Sequence, residues 1–234
     1  MNYQIKGDSD CPMIVAKLGK GETIMMESGA MVFMQDVDLQ GNLNSKQKGL
    51  GGLLGAIGRS LTSGESMFIT SATGKTDEAV VGIAPSVPGK IVKLEVGGAK
   101  QYRLNTGSFV CCDKDVAYEM KSQELTKALF SGTGGLFVME TTGEGDIFVS
   151  AFGDILELNV TPDKPMTIDN EHVVAWDANL EYHIEVASGV IGFTSGEGLV
   201  NKFSGEGRVL IQTRNVHSLA SALIPYMPTS SSSH

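Results

Sequence analysis

Histidine, cysteine and carboxylate side chains are where chemistry is expected in this chain, and they are few. There are four histidines and three cysteines among 234 residues. His172 and His183 lie on neighbouring predicted strands, with carboxylates nearby in the sequence. Those carboxylates are Asp169, Glu171, Asp177 and Glu185. Imidazole and carboxylate groups can bind zinc, but the regular ligand spacing of zinc sites is missing here. The sequence therefore favours ordinary strand-surface histidines and predicts no metal site.

Trp176, the only tryptophan, lies between these two histidines in the sequence. Packing in the core is the simplest interpretation of one large aromatic side chain on a strand. The competing hypothesis is a small-molecule- or metal-binding protein with sites in clefts between β units. Its speculative ligand cleft consists of His172, Trp176 and His183. The residues alone leave both interpretations open.

The cysteines give no sign of catalysis or of a disulfide framework. Cys111 and Cys112 are adjacent on a predicted strand, so their side chains point to opposite faces and a mutual bridge is unfavourable. Nucleophilic catalysis needs a serine or cysteine beside a histidine that a carboxylate holds. We find no such arrangement in the sequence, and we predict no catalytic residue, no cofactor and no enzymatic activity. An odd cysteine count without framework spacing favours a reducing compartment.

The net charge is −9, and lysines and arginines are scattered along the chain. A polyanion is repelled by such a surface unless basic residues cluster. We therefore expect no nucleic-acid partner. Residues 1–6 alternate like a strand and do not resemble a signal peptide. No segment reaches the ~18–20 apolar residues that cross a bilayer. These features predict a cytoplasmic protein.

Two short sequence anchors recur three times in the same order. The copies of the first anchor begin at Glu27, Asn105 and Asp169. The copies of the second anchor, a Ser-Gly element, begin at Ser63, Ser131 and Ser204. A unit of roughly 70 residues that occurs three times is typical of a repeat architecture. Because so small a unit is marginal alone, we expect the three units to share one body.

Alternating apolar and polar residues predict strands in each unit. Before each first anchor lie the predicted strands Met13–Leu18, Ile91–Val96 and Ile155–Val160. After each anchor come nearly continuous apolar runs at 31–34, 109–112 and 173–176, which fit central strands covered on both faces. The strands on either side of an anchor are predicted to form a hairpin.

The predicted fold class is all-β. It is a β-sandwich built from three internal repeats over residues 1–214, approximately 1–75, 76–142 and 143–214, around a pseudo-threefold axis. Helical spacing predicts short helices near 53–61 and 125–130, with a vestige at 199–203. Residues 215–228 are expected to form a C-terminal helix that covers the β body, and 229–234 a disordered tail.

A glycine- and leucine-rich segment at 49–58 has three interpretations. A phosphate-binding loop would need a lysine followed by serine or threonine after the glycines, and Arg59-Ser60 is a poor substitute. The segment is long enough to lie at a membrane surface or to dock on a protein partner. Packing on its own β body is the third interpretation. The possible interaction residues are Leu50, Leu53, Leu54, Ile57 and Arg59. Whether residues 46–61 bind a membrane or pack on the body stays open.

Three stretches together resemble a known family. They are the run at 49–55, the element at 63–66 and the ending at 205–215. They resemble a widespread bacterial and archaeal family of unknown function, whose fungal members are named for altered inheritance of mitochondria. The resemblance spans residues 1 to about 226. It implies a β-sandwich like that of the tryptophan-RNA-binding attenuation protein, present as three repeats in one chain, and it implies no established enzymatic activity.

Repeated faces offer repeated edges for assembly. The sequence therefore favours a non-catalytic homo-oligomeric scaffold or interaction protein, with a protein partner or a membrane surface as its further contacts. The small-molecule- or metal-binding protein is the alternative.

Overall fold

The computed structural model describes residues 2–7, 10–43, 68–122, 137–187 and 198–227. These residues form nineteen strands. In chain order the strands are β1 (Asn2–Lys6), β2 (Met13–Leu18), β3 (Thr23–Glu27), β4 (Met31–Gln35), β5 (Val37–Leu43), β6 (Phe68–Gly74), β7 (Ala79–Ile83), β8 (Ile91–Val96), β9 (Tyr102–Asn105), β10 (Phe109–Asp113), β11 (Val116–Ser122), β12 (Phe137–Gly143), β13 (Gly145–Ser150), β14 (Ile155–Val160), β15 (Met166–Asp169), β16 (Val173–Asp177), β17 (Glu181–Val186), β18 (Leu199–Ser204) and β19 (Gly207–Gln212). One α-helix, α1 (Val216–Leu223), follows the last strand. Turns of 3₁₀ helix lie at Thr106–Ser108, Asn170–His172 and Ile224–Tyr226.

The strands pair into four sheets. Sheet I has the order β1-β2-β7-β4, and sheet II the order β5-β6-β3-β10-β13-β8. Sheet III has the order β11-β12-β9-β16-β19-β14, and sheet IV the order β15-β18-β17. The pairings between these strands are antiparallel. Side chains alternate between faces as the strand period requires: Ile14, Ala16 and Leu18 are buried on one face of β2.

Two kinds of three-stranded group make up these sheets. We call β2-β7-β4, β8-β13-β10 and β14-β19-β16 the A triplets. We call β5-β6-β3, β11-β12-β9 and β17-β18-β15 the B triplets. Sheets II and III each join one B triplet to the A triplet that follows it along the chain. Sheet I contains the first A triplet with β1, and sheet IV is the last B triplet alone.

The A triplets share a local irregularity. The ladder slips by one residue between Met31 and Phe33 of β4 where β4 pairs with β7. The same slip occurs after Phe109 in β10 and after Val173 in β16. A one-residue bulge bends its strand and increases the local twist. The bulge fixes which residues correspond: Phe33, Cys111 and Ala175 occupy one position, and Met34, Cys112 and Trp176 the next.

Two joints connect B triplets to A triplets inside the chain. At the first joint β3 pairs with β10, with Met26 opposite Cys111. At the second joint β9 pairs with β16, with Leu104 opposite Ala175. These joints use the same register. Between sheets I and IV the described strands form no such joint, so the triplets make an open series that ends at β4 and at β15.

Three apolar clusters fill the space between successive sheets. Core 1 contains fifteen buried residues, among them Ile14 of sheet I and Cys111 of sheet II. Core 2 also contains fifteen and includes Cys112 of sheet II and Ala175 of sheet III. Core 3 contains eight of the described residues, around Trp176 of sheet III and Ile168 of sheet IV. Sheets packed through interdigitated inner faces define a sandwich, so the predicted all-β, sandwich-like fold is confirmed.

Several local predictions need correction. The run at 31–34 is not a covered central strand, because β4 lies at the edge of sheet I and all five of its residues are exposed. Residues 199–203 do not keep a helical vestige, since they lie in β18. The predicted hairpins do not form, because β7 lies between β2 and β4, β13 between β8 and β10, and β19 between β14 and β16. The strands directly before and after the first anchor, β3 and β4, belong to different sheets. The anchor is a crossover.

The C-terminal helix exists, but it does not bury its apolar stripe. Val216, Leu219 and Leu223 of α1 are about half exposed, at 54, 46 and 50 %. No residue of α1 is buried. The expected role as a cover is therefore wrong. The predicted helices near 53–61 and 125–130, the interaction residues Leu50 to Arg59 and the tail 229–234 lie outside the described residues.

Candidate interaction surface

Strand β4 presents the largest apolar stretch that the described strands leave open. Met31, Val32, Phe33 and Met34 are 37, 54, 43 and 46 % exposed. At the corresponding positions of β10 and β16 the first four residues are all buried, at 2 % or less. Contiguous exposed apolar surface on a β edge marks an interaction site or an aggregation hazard. β4 is therefore the candidate interaction surface.

The difference in burial comes from the neighbours of each strand. β10 is flanked by β13 and β3, and β16 by β19 and β9, whereas β4 has β7 on one side only. β4 consequently keeps one row of backbone N–H and C=O groups facing outward.

At this edge the large and small members of a cross-strand pair are exchanged relative to the other two A triplets. Phe33 lies opposite Gly82 of β7, and its ring occupies the space that a Cβ at Gly82 would need. In the other two A triplets the strand that corresponds to β4 carries the small residue of the pair. Cys111 lies opposite Phe148, and Ala175 lies opposite Leu210. The large aromatic side chain is thus carried by the exposed strand in the first triplet.

The other end of the series is β15. Ile168 is buried and Met166 is partly buried against core 3. Thr167, between them, is exposed. β15 pairs with β18 on one side and forms the edge of sheet IV on the other. Its outer edge has the same open hydrogen-bonding groups as β4.

Arg103 lies at the second joint and makes polar contacts on both sides of it, with Glu140 in its own B triplet and with Leu180 after β16. Arg103 of β9 donates from Nε to Glu140 Oε2 at 2.7 Å and from Nη1 to the Leu180 carbonyl at 3.0 Å. Its guanidinium lies 5.3 Å from the centre of the Tyr182 ring. Partial burial alone would raise the pKa of Glu140, but hydrogen bonds from Lys121 and Arg103 outweigh it and hold that pKa below its usual value. The carboxylate therefore stays ionised at neutral pH.

Asn105 adds a second set of bonds at this joint. Its Nδ2 donates to the carbonyls of Asn170 at 3.1 Å and Val173 at 2.7 Å, on the far side of the joint. At the first joint the corresponding residue is Glu27, whose pKa is raised by burial. An ionised carboxylate accepts hydrogen bonds and cannot donate to carbonyls. The two joints share a register but differ in their polar chemistry.

His172 belongs to a network at the start of α1. Its Nδ1 donates to the Gln212 carbonyl at 2.7 Å, and its Nε2 accepts from Asn215 Nδ2 at 3.0 Å. Asn215 also caps the helix, because its Oδ1 accepts from the Ser218 amide at 2.7 Å. Both ring nitrogens of His172 are thus engaged in fixing the β19–α1 connection. An open groove of about 500 Å³ borders this network, between Phe152 and Leu219.

Trp176 is a core residue. It is 1 % exposed and makes edge-on contacts with Tyr182 and Phe203, at centroid distances of 5.0 and 5.6 Å. Its indole Nε1 has no hydrogen-bond partner among the described residues. An aromatic cluster of this geometry contributes about 0.5–1.5 kcal/mol per pair beyond burial. The core-packing interpretation fits this position.

The predicted cleft residues lie apart. His183 is on the exposed side of β17, in a groove of about 340 Å³ bordered by Pro165 and Lys202. His172 and Trp176 border two other cavities. The structure does not bring the three residues together in one cleft.

Metal and thiol chemistry find little support in the described part of the chain. Within it, no group of three or more histidine, cysteine, aspartate or glutamate side chains is close enough to hold a metal ion. Burial raises the pKa of Cys111 far above its ordinary value and that of Cys112 to about 12. Both thiols are therefore protonated and unreactive at neutral pH. Among the described helices, none has the length and apolarity to cross a bilayer.

Neither the open edge of β4 nor the α1 network was predicted from the sequence. The apolar run of β4 looks like those of β10 and β16, so its pattern carries no sign of exposure. The helix cap is a visible signal, since Asn215 immediately precedes the apolar stripe of α1.

The fold and this surface define an all-β protein of packed antiparallel sheets with open edges. Comparison with known proteins gives its family. Residues 3–214 match the family described as mitochondrial biogenesis AIM24, and the chain belongs to that family. This confirms the resemblance drawn from the sequence.

Two relatives come from Streptococcus pyogenes. An uncharacterized protein of the serotype M6 strain is 44 % identical over 233 residues, which are 99 % of this chain and 93 % of the relative. The crystal structure of a Streptococcus pyogenes protein superposes with a TM-score of 0.80 at 39 % identity. The match covers 97 % of this chain and 99 % of that one. Family and fold are thereby established, and neither relative brings a biochemical activity.

Proposed function

We propose that this protein is a non-catalytic scaffold that assembles with copies of itself and carries interaction surfaces for other components. The observation that carries the proposal is the exposure of β4. Four consecutive exposed apolar residues on a strand that is paired on one side only are costly to leave in water, at about 25 cal/mol per Å² of apolar area. A second molecule that covers them recovers that free energy.

The proposal includes a three-repeat organisation like that of the attenuation protein. It is supported by the three A triplets and three B triplets, which recur in the same pairing order, and by the bulge that the A triplets share. A body assembled from equivalent units has equivalent edges, and unused edges at its two ends suit a building block. The cytoplasm suits this role, because the described cysteines form no disulfide.

The exposed stripe of α1 supports contacts with further partners. Val216, Leu219 and Leu223 line one side of a short helix without being buried by the β body. A membrane-peripheral location rests on the segment at 46–61, which lies outside the described residues. Removal of residues 48–59 should abolish vesicle binding while leaving the circular dichroism spectrum unchanged. A deletion variant that unfolds would show instead that the segment belongs to the core.

Size-exclusion chromatography with light scattering tests self-assembly directly. We expect a mass that is a multiple of 24.8 kDa and that falls on dilution. A mass of one chain at every concentration up to about 100 μM would contradict the proposal, because scaffolds of this kind need at least micromolar affinity.

The alternative function is ligand binding in the groove beside α1. The feature that favours it is the groove itself, about 500 Å³ in volume with Phe152, His172 and Leu219 at its wall. Binding pockets for small molecules fall in this size range. A thermal-shift screen over metal ions, amino acids, nucleotides and lipids tests it. A reproducible rise in Tm that disappears in Leu219→Arg would favour the alternative over the scaffold.

A further inference from the structure

The open edges at the two ends of the series correspond to the two halves of an internal joint. Each joint inside the chain pairs the last strand of a B triplet with the bulged strand of the next A triplet. Two such joints use two B edges and two A edges. The remaining A edge is β4, and the remaining B edge is β15.

The register of the internal joints predicts the missing pairs. Met26 and Leu104 face Cys111 and Ala175 at the two joints. Ile168 corresponds to Leu104, because each lies two residues before a 3₁₀ turn. Phe33 corresponds to Cys111 and Ala175, because each follows the bulge of its strand. The same joint between β15 and β4 would therefore place Phe33 opposite Ile168 and Met34 opposite Thr167.

The small size of core 3 supports the same pairing. Core 1 includes Val110, Cys111 and Phe148, which belong to the second A triplet, in sheet II. Core 2 includes Val174, Ala175 and Leu210, which belong to the third A triplet, in sheet III. Among the described residues, core 3 has eight buried members where the other two cores have fifteen, and none of the eight comes from a following A triplet. In the first A triplet, the residues at the same three positions are Val32, Phe33 and Gly82. Val32 and Phe33 are exposed.

We infer that the molecules associate head to tail, with β4 of one copy completing sheet IV of the next. β4 pairs antiparallel with β15 of that copy in the register of the internal joints, and Val32 and Phe33 enter its core 3. The occupant of the edge is thus a second copy of this chain. The inference rests on the proposed self-assembly and specifies its interface. Because the contact joins two different surfaces, it propagates into a ring or a longer chain of copies.

Engineered disulfides test the pairing and its register. Opposed residues of an antiparallel pair lie about 4.5–5.5 Å apart at Cα, within the range a disulfide bridges. All variants carry Cys11→Ser to remove the exposed native thiol. An equimolar mixture of Met34→Cys and Thr167→Cys is oxidised and analysed on a non-reducing gel. We expect a covalent dimer that contains one chain of each kind, identified by mass spectrometry of the linked peptides.

Two controls decide between arrangements. A mixture of Met34→Cys with Met166→Cys should give about tenfold less dimer, because a one-residue shift places the side chain on the opposite face. Met34→Cys alone should give little dimer. If it forms dimer as readily as the mixture, β4 pairs with its own copy about a twofold axis and the inference is wrong. If wild-type protein is oligomeric but the mixture gives no mixed dimer, self-assembly stands and this interface does not.

A charge at the joint gives an independent measurement. Phe33→Glu places a carboxylate in core 3 of the neighbouring copy, so the dissociation constant of the wild-type oligomer should rise at least about tenfold. Leu156→Glu is the matched control, since Leu156 is 50 % exposed on β14, an edge strand away from the joint. It should leave the dissociation constant unchanged. Equal effects of the two substitutions would overturn the assignment of the joint to β4.

Discussion

Strands β4 and β10 have nearly the same place in their triplets and opposite environments. Both follow a first anchor, carry a bulge after their first residue and pair with one strand of their own triplet. Cys112 is fully buried, while the corresponding Met34 is 46 % exposed. Among the described strands, the difference in pairing is the B triplet that lies beside β10. Local sequence therefore decides that an A triplet forms, and the neighbouring triplet decides whether its bulged strand is core or surface.

A charge placed at the two corresponding positions should have the largest and most unequal effects. Cys112→Asp puts a carboxylate into core 2, and we expect a loss of about 4 kcal/mol or more in the free energy of unfolding. Met34→Asp should change the stability of the single chain by only about 0.5 kcal/mol, because the side chain reaches water. Urea denaturation followed by circular dichroism measures both. Similar losses in the two variants would mean that β4 is covered within its own chain.

The second prediction compares the two internal joints. Arg103 bonds to Glu140 and to the Leu180 carbonyl at the second joint, whereas the first joint has Met25 at the same position. Arg103→Met should therefore cost about 2 kcal/mol at neutral pH, since it leaves a partly buried carboxylate with one partner fewer. The matched exchange Met25→Leu should cost less than about 1.5 kcal/mol.

The pH dependence of that loss checks its cause. The pKa of Glu140 is lowered in the folded protein, so its pairing stabilises the fold above the usual pKa of 4.5 and is lost as the pH falls through the folded value. The difference in stability between wild type and Arg103→Met should shrink between about pH 5 and about pH 3. A difference that stays constant in acid would mean that Arg103 acts through its contact with Tyr182 and not through Glu140.

Much of this fold could be predicted from the sequence, because its signals are local. The strands Met13–Leu18, Ile91–Val96 and Ile155–Val160 were predicted with the bounds that β2, β8 and β14 have. The pairing could not be predicted in the same way. A tight turn such as Ser28-Gly29 has the same composition whether it closes a hairpin or crosses between sheets, and the actual crossover places β3 and β4 in different sheets.

The candidate site was predicted less well for the same reason. His172 and His183 are close in sequence, but His172 lies in the 3₁₀ turn before β16 and His183 lies on β17, and β16 and β17 belong to different sheets. His172 then serves the α1 cap, and Trp176 fills core 3. The exposure of Phe33 depends on a triplet that is absent from one side of β4, and no residue near Phe33 encodes that absence.

The smallest predicted effect concerns the residue before the 3₁₀ turn at each joint. Glu27 corresponds to Asn105, which donates two hydrogen bonds across the second joint. Burial raises the pKa of Glu27, so its contribution to stability is present below pH 4.5 and is lost as the pH rises through the folded value. Glu27→Gln removes that titration and supplies an amide donor. We expect a gain of about 1 kcal/mol at neutral pH and no gain in acid. Thermal unfolding at both pH values measures it, with Glu22→Gln as the control. A gain that is equal at both pH values would show that the two joints differ in packing and not in the charge at this position.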